Sequence, residues 1–139
     1  MSGFVLDSSV ALTWCFPDEA TPATDRLLER VRDEGAAVPD MWRLEVSNVV
    51  LLARRHDRID AARAAEFFAL VAALPIRPDM EAGSRAFEAI DVLASQERLT
   101  SYDAAYLELA LRRGLPLATK DKDLVRACRR RRVPLVLKG

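Results

Sequence analysis

The sequence predicts an α/β domain of three layers, a parallel sheet of four or five strands between two layers of helices. Three observations predict it. Short apolar runs alternate with longer stretches of helical periodicity from one end of the chain to the other. The 139 residues fit one domain spanning 1–139, large enough to bury a core without disulfides or a structural metal. No internal repeat, low-complexity tract or long linker interrupts the alternation.

Taken in order, Phe4-Val5-Leu6 reads as the first strand. Asp7, Ser8 and Ser9 are good N-cap types, and a short helix follows through Trp14 until Pro17 ends it. Leu27, Leu28 and Val31 give helical spacing to a second helix from Thr24 to Asp33, which Gly35 stops. Ala36–Pro39 is the second strand. Asp40 is placed to cap a third helix over 41–55, and Asp60 a fourth over 61–74. Residues 75–78 form a short strand or extended link. A fifth helix covers 82–97, and Thr100 and Ser101 start a sixth that ends at Gly114. Leu115–Ala118 is a strand, Asp121 caps the last helix, and 133–137 closes the sheet as a final strand.

Bulk properties limit the function. With 21 basic and 21 acidic residues the formal net charge is zero, so a basic surface for nucleic acid must arise from local segregation of charge. Cys15 and Cys128 are far apart and lie in no metal-binding spacing, as expected of free thiols in a reducing cytoplasm. No apolar run approaches a membrane span, and Met1-Ser2-Gly3-Phe4 does not open like a secretory leader.

Ligands of open parallel sheets bind beyond the carboxyl ends of the strands. Asp7 follows the first strand there, and Thr119 and Asp121 follow Leu115–Ala118. Two further acids fall on apolar helical stripes. Glu45 has Met41, Trp42, Val49 and Leu52 at helical spacing, with Asn48 as its polar companion. Asp103 has Leu99, Tyr106 and Leu107. A carboxylate on an apolar stripe is costly unless compensated, and a cation is one compensation. Four carboxylates without a matching inward Lys or His repel one another and suit a hard cation, Mg²⁺ or Mn²⁺. Such a site can hold a phosphodiester and activate water. Singly, Asp7 and Asp121 also read as N-caps, Glu45 as turned outward or paired with an arginine, and Asp103 as a favourable first-turn acid.

Four segments resemble the motifs of PIN domains. Val5-Leu6-Asp7-Ser8-Ser9-Val10 is similar to the first. Trp42-Arg43-Leu44-Glu45-Val46-Ser47-Asn48 is similar to the second, and Thr100-Ser101-Tyr102-Asp103-Ala104-Ala105-Tyr106-Leu107 to the third. Leu117-Ala118-Thr119-Lys120-Asp121 is similar to the fourth. Order and spacing match across nearly the whole chain, and the small single domain resembles the VapC-type toxins. The resemblance implies an endoribonuclease with Asp7, Glu45, Asp103 and Asp121 as its catalytic and metal-binding acids. It implies support from Thr119, Asn48 and Ser8. It also implies a homodimer neutralised by a VapB-type antitoxin. Asp123 could share or replace the role of Asp121, although the Thr-x-Asp pattern favours Asp121.

Other residues attract a functional reading. Lys120 and Lys122 flank a site acid and are candidates for RNA phosphate contact, ahead of the run Arg129–Arg132, which reads as a solvated helix face. Trp14, Phe16, Phe67 and Phe68 could stack on bases but have the spacing of core residues. His56, among charged residues at a helix end, is expected in solvent. Two alternatives remain. A phospho-aspartate phosphatase would carry a second Asp where Ser9 stands, and a receiver domain would want its late Lys isolated. A non-catalytic PIN scaffold would not need all four acids.

Overall fold

Strand β1 (Phe4–Leu6) is flanked by β2 (Ala36–Pro39) on one side and by β4 (Leu117–Ala118) on the other, with β3 (Ile76–Asp79) outside β2. Every pairing is parallel. The computed structural model describes residues 3–137, so Met1 and Ser2, read as opening no leader, and the final two residues of the expected 1–139 domain lie outside the described residues. β1 and β2 are buried along their whole length, as befits inner strands covered on both faces. β3 carries Pro78 and exposes its two middle residues, which an edge strand tolerates.

The helices are α1 (Ser8–Ala11), α2 (Pro22–Glu34), α3 (Trp42–Arg55), α4 (Ala61–Ala73), α5 (Ala82–Arg85), α6 (Asp91–Glu97), α7 (Ser101–Arg113) and α8 (Lys122–Arg130). The caps explain several boundaries. Thr21 accepts from the Thr24 amide in a reciprocal capping box, so α2 begins at Pro22, two residues earlier than its apolar spacing suggests. Asp60 and Thr100 cap α4 and α7 through the amides of Arg63 and Asp103. Asp40 makes no such cap; α3 starts after Met41 with no side-chain bond at its N-terminus. Gly35 ends α2 at φ 78°, and a Cβ there would stand 3.1 Å from the Pro75 carbonyl oxygen.

Two expectations need correction. The single helix over 82–97 is three pieces, because a π-helical turn at Ala86–Ile90 separates α5 from α6. The closing strand over 133–137 reduces to one parallel bridge between Leu117 and Leu135. There the Leu117 amide donates to Pro134 and the Val136 amide donates back to Leu117. Arg132 in a left-handed conformation and Pro134 without an amide hydrogen shorten the ladder on its N-terminal side.

The apolar core is continuous from β1 through α7, whose residues 104–110 are all buried. Two ion-pair networks fasten the outer elements. Asp79, at the end of β3, receives Arg112 and Arg113 of α7. Glu97, at the end of α6, receives Arg130 and Arg131 of the α8 end. Both cysteines are free and buried. No helix among the described residues is long and apolar enough to cross a membrane.

Candidate active site

The chain runs from β1 to β2 to β3 in one direction across the sheet, then returns to place β4 on the other side of β1. The order therefore reverses between β1 and β4, and a crevice opens at such a switch point. The register puts Leu6 beside Ala118, so the next residues of both strands emerge together. Asp7 and Thr119 are those residues, and the Asp7 amide donates to the Ala118 carbonyl at 3.0 Å.

Asp7 is only 4% exposed. It stands at the N-cap position of α1 but makes no cap. Its Oδ2 instead accepts from Ser9 Oγ at 2.7 Å and from Thr119 Oγ1 at 2.6 Å. Both hydroxyls are held in turn, because Ser9 Oγ accepts from the Lys120 amide and Thr119 Oγ1 from the Asp121 amide. Burial pushes the Asp7 carboxyl above its usual range, the two hydroxyls oppose that, and the charges of Glu45 and Asp121 add to it.

Asp103 lies in the first turn of α7, partly exposed, on a backbone fixed by the Thr100 cap. Its pKa is raised to about 6, first by burial and then by the negative charges of Asp121 and Asp7. Asp121 caps α8, accepting from the Leu124 amide at 2.8 Å. Glu45, partly buried in the first turn of α3, accepts from the Tyr106 hydroxyl at 2.5 Å. Burial, and after it the charges of Asp7 and Glu45, keep the Tyr106 phenol protonated well beyond its ordinary range.

These electrostatic couplings join Asp7, Glu45, Asp103 and Asp121, and among the described residues none of the four pairs with a basic side chain within 4.0 Å. Their donors are all oxygen, which fits a hard divalent cation. Among the described residues no three such acids enclose a cation by themselves. Mg²⁺ keeps several waters and takes one or two carboxylates directly, so an open acidic edge accommodates it. A cleft of about 320 Å³, lined by Ser9, Glu19, Arg58, Lys120 and Asp121 among others, opens beside Asp121.

The supporting residues divide. Thr119 touches Asp7 as the sequence suggests. Ser8 does not; its hydroxyl lies toward Tyr106, and Ser9 is the serine on Asp7. Ser9 is three residues beyond the end of β1, where the first turn of α1 folds back on Asp7, a relation that motif position alone does not reveal. Asn48 is exposed, and its side chain makes no hydrogen bond among the described residues. The stripe assigned to Glu45 is also displaced. The buried face of α3 is Trp42, Val46, Val50 and Ala53, with Leu52 42% exposed, so Glu45 sits at the margin of that face. Asp123 is exposed and paired with Arg126 at 2.9 Å, away from Asp7. Lys120 and Lys122 are exposed. Trp14, Phe16 and Phe67 are core residues, whereas Phe68 and His56 face solvent.

The fold has known counterparts. A structure described as "Crystal structure of PAE2754 from Pyrobaculum aerophilum" superposes with a TM-score of 0.68 at 21% identity, covering 91% of this chain and 86% of that one. A search of curated proteins finds no match. The family model described as PIN domain matches residues 4–130. Those residues run from the first residue of β1 to the last of α8, so the chain belongs to the PIN domain family, whose members are generally metal-dependent nucleases.

Proposed function

We propose that this chain is a Mg²⁺- or Mn²⁺-dependent endoribonuclease that acts as the toxin of a toxin–antitoxin pair. One observation carries the nuclease reading: four acids from distant segments share one sheet edge, repel one another and lack cationic partners among the described residues. Asp7, Asp103, Asp121 and Glu45 would hold the cation. When bound, it would neutralise phosphodiester charge and make water a stronger nucleophile at neutral pH.

The chain's own contribution is orientation. Thr119 and Ser9 fix one oxygen of Asp7, leaving its other oxygen free of protein hydrogen bonds among the described residues. The α8 N-terminus holds Asp121, and Tyr106 holds Glu45, so neither acid can swing freely into solvent. Lys120, on the wall of the adjoining cleft, pairs with Glu19 at 3.8 Å and would exchange that long contact for a phosphate.

Small size and the match of all four motifs support the toxin role, with a VapB-type antitoxin as inhibitor and a homodimer as the working form. Leu44, Met80 and Phe87, each more than two-thirds exposed, offer apolar surface to such partners.

The decisive experiment incubates the purified chain with RNA in Mg²⁺, in EDTA, and as the Asp7→Asn variant. Cleavage should require Mg²⁺ and fall at least about 100-fold in the variant. Cleavage that survives both treatments overturns the assignment. Expression alone should arrest growth, and co-expression of a cognate VapB-type antitoxin should relieve it.

A further inference from the structure

A groove of about 710 Å³ runs beside the acidic edge, between the start of α2, one face of α8 and the closing segment through Leu137. Its wall includes Thr119, whose hydroxyl bonds Asp7, so the groove and the acidic centre share a residue. Lys120 lines both this groove and the smaller cleft holding Asp121 and Ser9, so the two openings adjoin along one side chain.

The lining is amphipathic. Lys122, Val125, Arg126 and Arg129 fall at helical spacing on one face of α8. Val125, Leu135 and Leu137 supply apolar surface, and no acidic side chain lines the groove among the described residues. Arg126 and Arg130 are held by Asp123 and Glu97. Lys122 and Arg129 have no carboxylate partner among the described residues. On a chain of zero net charge this is a local excess of positive charge, built partly from a basic run that looks like a solvated helix face in the sequence.

We infer that this groove binds a single-stranded segment of RNA that continues from the acidic centre, with Lys122 and Arg129 on its phosphates and the apolar floor against its base faces. The inference rests on the nuclease reading and names the strand's path. A single strand presents backbone charge along one side and unstacked base faces along the other, and the groove's lining complements both. A duplex hides its base faces and offers only the charge.

The test is equilibrium binding of a labelled 12-nucleotide single-stranded RNA, read by fluorescence anisotropy in EDTA so that no strand is cut. Lys122→Gln/Arg129→Gln should weaken binding about tenfold at 0.1 M salt. It should also lower the slope of log K against log salt by about 1.4, since each lost phosphate contact on a single strand is worth about 0.7. Both side chains are exposed, so the double variant should keep the wild-type Tm. Arg55→Gln/Arg77→Gln removes the same charge from α3 and from the sheet edge opposite β4, and should bind within twofold of wild type. Unlabelled duplex of the same sequence should compete at least tenfold less well than the single strand. Equal weakening by both double variants, an unchanged salt slope, or equal competition by duplex each overturns the groove. If wild type cuts RNA and the groove variant binds normally, the groove alone fails. If wild type neither binds nor cuts RNA, the nuclease reading fails with it.

Discussion

Thr119 and Asp7, 112 positions apart in the chain, are joined by a 2.6 Å hydrogen bond at the carboxyl end of the central strands. The same threonine oxygen accepts from the amide of Asp121, so one hydroxyl positions two of the four acids. Thr119→Val keeps the shape and removes both bonds. Asp7 then loses one of the two hydroxyls that favour its charged form, and its pKa should rise further. We expect activity at neutral pH to fall about 10- to 100-fold and to recover partly as pH is raised. The pH profile of RNA cleavage checks this. A lower Tm with an unshifted profile would mean that the hydroxyl is only structural.

Asp103 should make the metal-free fold less stable at neutral pH. Its folded pKa of about 6 lies above the unfolded value near 3.8, so the native state binds that proton more tightly. Its destabilisation is absent below about pH 4 and complete above about pH 6. Asp103→Asn removes it. In EDTA at pH 7.5 the variant should melt about 2–5 °C higher than wild type, after allowance for the partial exposure of the group. The difference should close at pH 4, and Mg²⁺ should raise the Tm of wild type more than that of the variant. Calorimetry at pH 7.5 and pH 4 decides it. A variant less stable by several kcal/mol at pH 7.5 would mark Asp103 as structural.

Tyr106 ties α7 to Glu45 of α3 through its hydroxyl. Tyr106→Phe preserves the buried ring and leaves Glu45 without that donor. Glu45 is partly solvated, so the stability loss should be about 1 kcal/mol, measurable by urea titration. The larger effect should be on the Mg²⁺ concentration for half-maximal activity, which should rise several-fold as Glu45 gains freedom. An unchanged Mg²⁺ requirement would separate Glu45 from the metal site.

Asp79 is a structural acid with the opposite pH behaviour. Its hydrogen bonds from Arg112 at 2.6 Å and Arg113 at 2.7 Å hold its pKa below the usual carboxylate range, Arg112 having the larger effect. The stability it contributes is present above about pH 4 and is lost as pH falls below that. Asp79→Asn should cost about 2–3 kcal/mol at pH 7, because Arg112 keeps Glu108 as a partner. Cleavage by the folded fraction should be unchanged. A variant as stable as wild type at pH 7 would show that the Arg112–Glu81 pair takes over the tie.

Much of this architecture was legible in local signals. Phe4-Val5-Leu6 and Ala36–Pro39 are strands because short apolar runs bounded by polar or turn residues have few other uses. Asp60, Thr100 and Asp121 cap the helices they precede because a side-chain oxygen there satisfies an otherwise unpaired amide. The π-helical turn at Ala86–Ile90 left no comparable signal, since the apolar spacing of 82–97 fits an unbroken helix. The short pairing of 133–137 depends on the backbone turn at Arg132, which the apolar run does not encode.

The sequence by itself determined which acids are available and which strands and helices carry them, because period, caps and strand runs are properties of neighbouring residues. The tertiary structure decided which of them meet. Asp7 faces Thr119 because Leu6 pairs with Ala118, and a register is a relation between segments more than a hundred residues apart. The same folding brought Ser9 rather than Ser8 onto Asp7, turned Asp123 out to Arg126, and made the face of α8 one wall of a groove. Those outcomes depend on where the backbone returns in space, which local pattern leaves open.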